Sequence, residues 1–411
     1  MCYTLHKEGV PAAFLLLIYE LLDNDFDAYR HNVFSFLLLS LAAGLFLNMK
    51  GAFIMAGINI FDKNGYLDWA KILKITKKCP FIWVTGGRGT GKTYGCLDAV
   101  WHTGATFMYL RRTQKQADIV SKPDTHPFKA LESDGRVPFL TTKAVAKDLA
   151  GVYIAEPNDE GDKYLPVGLP RCYIGSVSTF SSLRGLSFEE VKYLVYDEFC
   201  PEPHEKAIKN EAAAFLNVCE TIGRNRELKG EEPLKVICLA NANDIANPYF
   251  IELGIVKKAE QMMREKQTIS IDENRGLCMI YLDHSPISER KKHTALYKLT
   301  ANKDSQFNQM ALQNRYYTDE SAIIKPCRLP GEWVPICRIN GITIYKHKAN
   351  RTFYVSTYST GTCKQFGSSY AEKKRFLNHF LYLWTAYLRN QIMFEEYLCL
   401  VLFENAFDAS K

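Results

Sequence analysis

The sequence feature that most constrains the fold is a glycine-rich octapeptide that follows a short apolar run. Residues 86–93 match the pattern GxxxxGK(S/T), and residues 81–84 before them are apolar. Glycines let the backbone curl so that successive N–H groups point at one anion, and the positive end of a following helix points at the same place. The sequence therefore predicts a strand, a phosphate-binding loop and a helix, in that order.

Every residue of this loop is a candidate nucleotide ligand. Lys92 would reach the β- and γ-phosphates of a nucleoside triphosphate, and Thr93 would hold Mg²⁺. The complete set is Gly86, Gly87, Arg88, Gly89, Thr90, Gly91, Lys92 and Thr93. A glycine-rich turn that binds nothing is the alternative, and the joint presence of the strand, the spacing, the lysine and the threonine argues against it.

A second strand-like run ends in two acidic residues. Residues 191–196 are followed by Asp197 and Glu198. An aspartate at a strand tip can hold the water shell of Mg²⁺, and the adjacent glutamate can polarise a water molecule for attack on the γ-phosphate. Two surface acids at a strand end are the alternative. Because a small-molecule kinase needs no water-activating glutamate, the pair favours hydrolysis over phosphoryl transfer to a metabolite.

Two further polar segments lie near these motifs in the sequence. Arg224 and Arg226 follow a helical stretch, and in ring-shaped ATPases an arginine at a subunit edge can reach the neighbour's γ-phosphate. Both arginines would equally suit an ordinary helix end, whose partial negative charge attracts cations, and their spacing does not decide between the two. Asn241 follows the apolar run 236–239 and could sense the γ-phosphate or form an Asx turn.

Strand-like and helical segments alternate between residues 71 and 247. The predicted strands are 80–85, 105–110, 171–176, 193–196 and 235–240. Helical stretches such as 92–102 and 206–219 lie between them, and residues 158–169 are predicted to form a surface loop. This alternation predicts a mostly parallel α/β sheet with helices on both faces.

The sequence changes character near residue 285. Residues 285–317 are polar and helical, and a final helical segment is predicted for residues 370–405. Strand-like runs lie between these segments, at 333–339, 342–346 and 352–357. The tight turn Asn340-Gly341 between two of those runs is typical of an antiparallel meander.

Composition sets broad limits on the partners and the compartment. The net charge of +6 permits a polyanionic partner without requiring one. The 12 cysteines include no CxxC or CxxH pair, so a zinc framework has no ligand spacing to build on. We expect free, mostly buried thiols in a reducing cytoplasm.

Taken in order, these motifs resemble those of the DNA-packaging ATPases, or encapsidation proteins, of small podoviruses, which belong to the additional-strand glutamate class of P-loop proteins. The segments that carry the resemblance are residues 86–93, 107–112, 196–199, 224–227, 238–242 and 247–250. They span roughly residues 71–250. Beyond about residue 285 the resemblance rests on length and strand pattern.

The resemblance implies roles for single residues. Lys92 and Thr93 look like the Walker A pair, and Thr93 with Asp197 would hold the metal. Glu198 looks like the catalytic glutamate, and Asn241 resembles the sensor position.

The resemblance also implies a second set of residues that act between subunits. Arg224 looks like a trans-acting arginine finger, with Arg226 as the second choice. Arg184 lies where the family has another basic residue that faces the neighbouring site. Lys206 and Lys209, in the segment after the acidic pair, are candidates for gripping DNA phosphates without reading bases.

The implied activity is ATP-driven, Mg²⁺-dependent translocation of double-stranded viral DNA into a procapsid. The implied assembly is a homopentameric ring at the portal vertex, working in the host cytoplasm, with the portal (connector) protein and a packaging RNA as further partners. A membrane is not an expected partner. Three rivals stay open: a nuclease-competent terminase, a membrane-associated FtsK- or HerA-like DNA pump, and an ATP-binding scaffold without motor activity.

For the C-terminal region the resemblance implies an RNase H-type fold, which in large terminases carries clustered acids for two metals. Residues 333–338 and 352–357 contain no acid, so we predict a vestigial nuclease-like fold without nuclease activity. Four basic residues fit a phosphate-contacting face or scattered solubilising charge. They are Arg338, Lys346, Lys348 and Arg351.

Together these observations divide the chain into four parts. The predicted parts are an apolar extension (1–54), a P-loop ATPase domain (55–284), a helical linker (285–319) and a smaller α+β domain (320–411). Residues 32–49 carry no charge over 18 positions, at the lower edge of the ~20 that span a membrane. Because the resemblance begins near Ile58, we expect an appendage or a mis-assigned start there first, a helical hairpin second and a membrane span third.

Overall fold

The computed structural model describes residues 58–160, 164–201, 208–241, 245, 247–282, 285–291, 293–300, 324, 331–367 and 369–407. The predictions for residues 1–54, for Lys206 and for residues 301–319 of the linker lie outside these ranges. All elements below belong to one compact unit, Asn59–Lys411. Among the described helices, none combines the length and the apolar character that crossing a membrane requires.

Nine strands form the larger sheet. They are β1 (Phe81–Gly86), β2 (Thr106–Arg111), β3 (Leu140–Ala146), β4 (Leu149–Pro157), β5 (Tyr164–Ser176), β6 (Val191–Asp197), β7 (Lys235–Ala240), β8 (Ile269–Asp272) and β9 (Leu277–Leu282). Their order across the sheet is β3-β4-β5-β2-β6-β7-β1-β9-β8. The six adjacent strands β5, β2, β6, β7, β1 and β9 run parallel to one another. β4 pairs antiparallel with both β3 and β5, and β8 pairs antiparallel with β9. The predicted mostly parallel sheet is therefore confirmed.

The strand order also places one strand between the two motif-bearing strands. β7 pairs with β1, which precedes the phosphate-binding loop, on one side and with β6, which ends at Asp197, on the other. An additional strand in this position is what the resemblance to the additional-strand class implies. The carboxyl ends of β1, β7 and β6 consequently meet at one edge of the sheet.

Nine helices accompany this sheet within the described residues. They are α1 (Trp69–Ile75), α2 (Lys92–His102), α3 (Gln114–Val120), α4 (Lys129–Ser133), α5 (Glu211–Gly223), α6 (Pro248–Glu252), α7 (Val256–Arg264), α8 (Pro286–Lys291) and α9 (Ala295–Thr300). The helix predicted at 92–102 is confirmed to the residue. Every cysteine in the described ranges is free and most are buried, as predicted.

The prediction of a surface loop at 158–169 was wrong in its second half. Residues 164–169 form the exposed first half of β5, where Pro166 pairs with Ala155 of β4. Glycine, proline and acidic residues are typical of loops, but here the preceding strand β4 supplies hydrogen-bond partners across a hairpin. Composition alone does not reveal that pairing.

An aromatic cluster around Trp83 fixes the end of the sheet that carries the motifs. Its ring centroid lies 4.8 Å from that of Phe199, 5.9 Å from Phe215, 5.8 Å from Tyr249 and 5.7 Å from Phe250. Burial of each large side chain contributes about 1.5–3 kcal/mol, and each edge contact adds about 0.5–1.5 kcal/mol. Trp83 precedes the phosphate-binding loop and Phe199 follows Glu198. This packing therefore fixes the position of the loop relative to the acidic pair.

A buried polar network joins the sheet to helix α5. Arg112 is 1% exposed, and its Nε and Nη2 donate to the two carboxylate oxygens of Glu211 at 2.6 and 3.0 Å. The Tyr249 hydroxyl donates to the same carboxylate at 2.9 Å, and the hydroxyls of Tyr196 and Tyr249 lie 2.6 Å apart. The residue next to Asp197 is thereby connected to the first turn of α5.

The C-terminal part is built on a second sheet of five strands. They are β10 (Trp333–Ile339), β11 (Ile342–His347), β12 (Phe353–Ser356), β13 (Lys364–Phe366) and β14 (Ile392–Phe394), in the order β13-β10-β11-β12-β14. β10, β11 and β12 form the predicted antiparallel meander, with Asn340 and Gly341 at φ 50° and 82° in the turn. β13 and β14 pair parallel to β10 and β12 at the two edges.

The single final helix predicted at 370–405 was wrong. Two helices, α10 (Tyr370–Leu388) and α11 (Tyr397–Phe407), are separated by β14. Asn390 at φ 55° ends the first helix, and the next residues pair with β12, so tertiary pairing overrides the helical pattern. At the start of α11, Glu396 forms an ion pair of 3.0 Å with Lys257 of α7, which joins the two sheets.

Candidate functional site

The phosphate-binding loop has the backbone that its sequence predicts. β1 ends at Gly86, and α2 begins at Lys92 after Gly89 and Gly91, whose φ angles of 68° and 84° lie in the left-handed region. Glycine adopts that region without steric cost. The loop is therefore shaped by its glycines to leave a concave set of backbone N–H groups at the start of α2.

Lys92 is the most desolvated charge of the loop. Its Nζ donates to the carbonyls of Gly86 and Gly87 at 2.7 Å each, and the residue is 7% exposed. Burial lowers the pKa of Lys92 to about 7, against the opposing effect of Asp197, and the nearby cations Lys291 and Arg88 lower this pKa further. The ammonium would be stabilised by an anion in the loop.

Asp197, at the end of β6, forms the centre of the site. Its Oδ1 accepts a hydrogen bond from Thr93 Oγ1 at 3.0 Å. Its Oδ2 accepts from the Tyr109 hydroxyl at 2.7 Å and from Arg111 Nη1 at 3.3 Å. Burial raises the pKa of Asp197, and Arg111 acts in the opposite direction. The structure thus brings together the two residues predicted to hold a metal.

The donor set of Thr93 and Asp197 fits Mg²⁺. Both supply oxygen, the ligand that this hard cation prefers, and the cation usually keeps several waters beside one or two protein ligands. A divalent charge there would also favour the ionised form of Asp197, whose pKa burial raises.

Glu198 has an unusual backbone and a strong ion pair. Its φ of 54° lies in the left-handed region, and its side chain is 50% exposed. Its Oε2 accepts a hydrogen bond from Arg111 Nη2. The guanidinium of Arg111 therefore contacts both acids of the motif and neutralises the carboxylate that was predicted to activate water.

Arg111 is a site residue that sequence reasoning missed. It lies at the carboxyl end of β2, whose neighbour β6 places Tyr196 beside Leu110. The next residues on the two strands are Arg111 on β2 and Asp197 on β6, so these two side chains lie next to each other. A basic residue at a strand tip is the available sequence signal, but its partner depends on the register between strands.

Asn241 follows β7 and reaches the loop lysine. Its Oδ1 lies 3.4 Å from Lys92 Nζ. This is a long hydrogen bond, but it places the amide between the loop and the acidic pair, where the sensor role was predicted.

The structure separates the two candidate arginine fingers. Arg226 is 5% exposed, and its guanidinium donates to the carbonyls of Gly223, Val191 and Ile222 at 3.1, 2.9 and 3.1 Å. Arg224 is exposed, with φ 32°, and Nη2 donates to the carbonyl of Leu186 at 2.6 Å. Arg226 is thus a buried cap of α5, whereas Arg224 points outward.

Arg184 and Lys209 lie elsewhere on the surface. Both are exposed and line a hollow of about 260 Å³ beside α5. Within the described ranges, neither Arg184 nor Arg224 forms a hydrogen bond or ion pair with Lys92, Asp197 or Glu198. They do not belong to the nucleotide site of their own chain.

A cleft of about 1040 Å³ opens beside the loop. Apart from the loop residues, none of the residues that line this cleft was predicted from the sequence to belong to a site. Tyr66, Trp69 and Tyr94 are among the residues that line it. Leu67 N donates to Thr90 O, and Trp69 Nε1 donates to Gly91 O, at 3.1 Å each. The segment 66–69, which lines the cleft, is therefore bonded to the phosphate-binding loop. The size and aromatic lining of the cleft suit a nucleoside.

The sequence itself identifies the family. Residues 170–397, more than half of the chain, match the family described as Podovirus DNA encapsidation protein (Gp16). The chain belongs to this family. The DNA packaging protein of Bacillus phage phi29 is 26% identical over 290 residues, which are 69% of this chain and 75% of that protein. The DNA packaging protein of Bacillus phage B103 is 24% identical over 255 residues, or 59% and 66% of the two chains.

Solved structures of packaging motors share the encapsidation protein fold. The bacteriophage phi29 viral genome packaging motor assembly matches with a TM-score of 0.57 at 19% identity, over 86% of this chain and all of the other. The Phi-28 gp11 DNA packaging motor matches with a TM-score of 0.53 at 19% identity, over 83% and 96%.

The different surroundings of Arg224 and Arg226 predict different effects on stability. Arg226→Ala removes a side-chain donor from three carbonyls near α5 and should lower the free energy of unfolding by about 2–4 kcal/mol. Arg224→Ala removes an exposed side chain and should change it by about 0.5 kcal/mol or less. Urea denaturation followed by circular dichroism measures both. Equal losses for the two variants would contradict this distinction.

Proposed function

We infer that this chain is an ATPase that drives double-stranded viral DNA into a procapsid. The observation that carries this inference is the contact of Thr93 with Asp197, beside Lys92 and Glu198, at the edge of an additional-strand sheet. Membership of the encapsidation family supports the DNA-packaging role. ATP and Mg²⁺ are the ligands that this set of side chains suits.

The loop and Lys92 bind the phosphates in this mechanism. The N–H groups at the start of α2 face the anion, and Lys92 would exchange its two backbone carbonyls for phosphate oxygens. Thr93 and Asp197 would hold Mg²⁺, which neutralises charge that develops on the transferred phosphoryl group. The tyrosine-lined cleft would hold the nucleoside.

Glu198 is the residue that activates water. Its Oε2 accepts a hydrogen bond from Arg111 Nη2, so this oxygen is occupied and does not face an attacking water. Hydrolysis therefore requires Glu198 to leave Arg111 and approach the attacking water. Arg111 keeps its second partner, Asp197, during that movement.

The active site is completed by a second subunit. Arg224 is exposed at the end of α5 and would exchange the Leu186 carbonyl for a neighbour's γ-phosphate, and Arg184 would face the same neighbour. Such a finger contributes about 10³–10⁵ in rate. A closed homo-oligomeric ring, with five copies as the proposed number, supplies one finger to each site.

The proposed partners follow from that role. Double-stranded DNA would contact exposed cations such as Lys209, together with Lys206, through its phosphates. The portal (connector) protein and a packaging RNA would position the ring at the procapsid vertex in the host cytoplasm.

The C-terminal part is proposed to be a nuclease-like fold that does not cut DNA. Glu395 and Glu396, after β14, are with Cys399 the acidic group in the described residues that could hold a metal. Both acids have other partners: Glu395 accepts from Ser356 Oγ at 2.7 Å, and Glu396 pairs with Lys257 at 3.0 Å. Glu395 thus holds β12 within the second sheet and Glu396 joins that sheet to α7, and we propose structural roles for both rather than a two-metal centre.

The role of Glu198 is tested by Glu198→Gln. Hydrolysis stimulated by DNA and procapsids should fall by about 10²–10⁴, because the amide cannot accept the proton from water. ATP binding should stay within about threefold, since the amide can still contact Arg111. Glu189→Gln, an exposed neighbour just before β6, is the matched control. Turnover that survives in Glu198→Gln, or wild-type protein without hydrolysis, would refute the proposal.

The trans action of Arg224 is tested by mixing two inactive variants. If the finger comes from the neighbour, a mixture of Arg224→Ala with Glu198→Gln should recover up to about a quarter of wild-type turnover in random rings. A mixture of Lys92→Ala with Glu198→Gln is the control, since both residues serve the same site and no recovery is expected. If the first mixture recovers no turnover, Arg224 does not act on the neighbouring subunit's site.

A further inference from the structure

Helix α8 places a second lysine on the phosphate-binding loop. Lys291, at the end of α8, donates from Nζ to the carbonyl of Arg88. A Cβ atom built on Gly89 would collide with this Nζ, so a larger residue at position 89 would displace the lysine from its contact with the loop.

The position of Lys291 is held by two contacts that α8 and the residue before it make with the turn at Asn64 and Gly65. Ser285, just before α8, is 4% exposed and donates from Oγ to the carbonyl of Gly65 at 3.2 Å. Arg290 Nη1 donates to the carbonyl of Asn64 at 3.4 Å. The turn at residues 64–65 leads to Leu67, whose N–H donates to the carbonyl of Thr90 in the loop. Helix α8 is therefore connected to the loop through this turn.

The charge around the loop is unbalanced. Within the described residues, no carboxylate pairs with Lys291, and its one acceptor is the Arg88 carbonyl. An ammonium group can donate three hydrogen bonds, so this lysine retains capacity for a ligand. Burial lowers the pKa of Lys291, as it does for Lys92. A buried ammonium group and a half-buried one at the same loop are an arrangement that a polyphosphate would stabilise.

We propose that Lys291 is a second phosphate-binding lysine of the nucleotide site, which exchanges the Arg88 carbonyl for a phosphate oxygen when a nucleoside di- or triphosphate binds. This proposal rests on the nucleotide site of the proposed function. α8 begins the connection to the C-terminal sheet, so the exchange would tie the start of that connection to the state of the nucleotide.

The test compares nucleotides that differ in phosphate number, measured by calorimetry on the full chain. In Lys291→Ala, binding of Mg²⁺ with β,γ-imido-ATP should weaken about tenfold or more, whereas AMP binding should stay within about twofold. Lys291→Arg should restore part of the loss because it keeps the charge. Lys298→Ala, which removes an exposed lysine of α9, is the matched control and should bind like wild type.

Two results would overturn the proposal. Affinities of Lys291→Ala within about twofold of wild type for both nucleotides would exclude a phosphate contact. Equal weakening for AMP and the triphosphate analogue would show a structural role. If Lys291→Ala does not fold, Lys291→Gln keeps the hydrogen bond to Arg88 without the charge and serves the same comparison. Lys92→Ala separates the proposals: if it binds like wild type, the nucleotide site itself is refuted.

Discussion

The buried carboxylate of Asp197 is the interaction on which the rest of the site depends. It accepts hydrogen bonds from Thr93 on the loop helix and from Tyr109 and Arg111 on β2, so three separately encoded elements meet at one group. Removing a charge from water is costly unless hydrogen bonds replace the solvent. The donors therefore hold α2, which follows β1, and β2, the neighbour of β6, against the tip of β6.

Among the described residues, no carboxylate forms an ion pair with Lys92 or Lys291 beside the phosphate-binding loop, and a bound nucleotide would supply negative charge there. Lys92 is buried and Lys291 half-buried beside the loop, while Arg111 neutralises Glu198. In the proposed mechanism, polyphosphate and Mg²⁺ would bind the lysines and Asp197, and hydrolysis would then require Glu198 to leave Arg111. In this proposal the lysines serve ATP binding and Glu198 serves hydrolysis. Such a division suits an enzyme that must bind ATP before it cleaves it.

Sequence alone predicts those parts of the structure whose geometry is encoded locally. The loop, α2 and the pair Asp197-Glu198 are of this kind, because glycine spacing and a strand tip specify the backbone directly. Arg111 could not be found, since its role depends on the register of β2 against β6. The choice between Arg224 and Arg226 depended on the distant Val191 carbonyl, and Lys291 reaches the loop from a helix far along the chain.

The measurement that tests this account most directly is the proton balance of nucleotide binding. Calorimetry of MgADP at pH 8, in two buffers with different ionisation enthalpies, counts the protons exchanged. Because the pKa of Lys92 is about 7 in the free site and bound phosphates must raise it, binding at pH 8 should be accompanied by net uptake of protons. Affinity should accordingly fall as pH rises above 7. Identical enthalpies in the two buffers would contradict a desolvated lysine that awaits its anion.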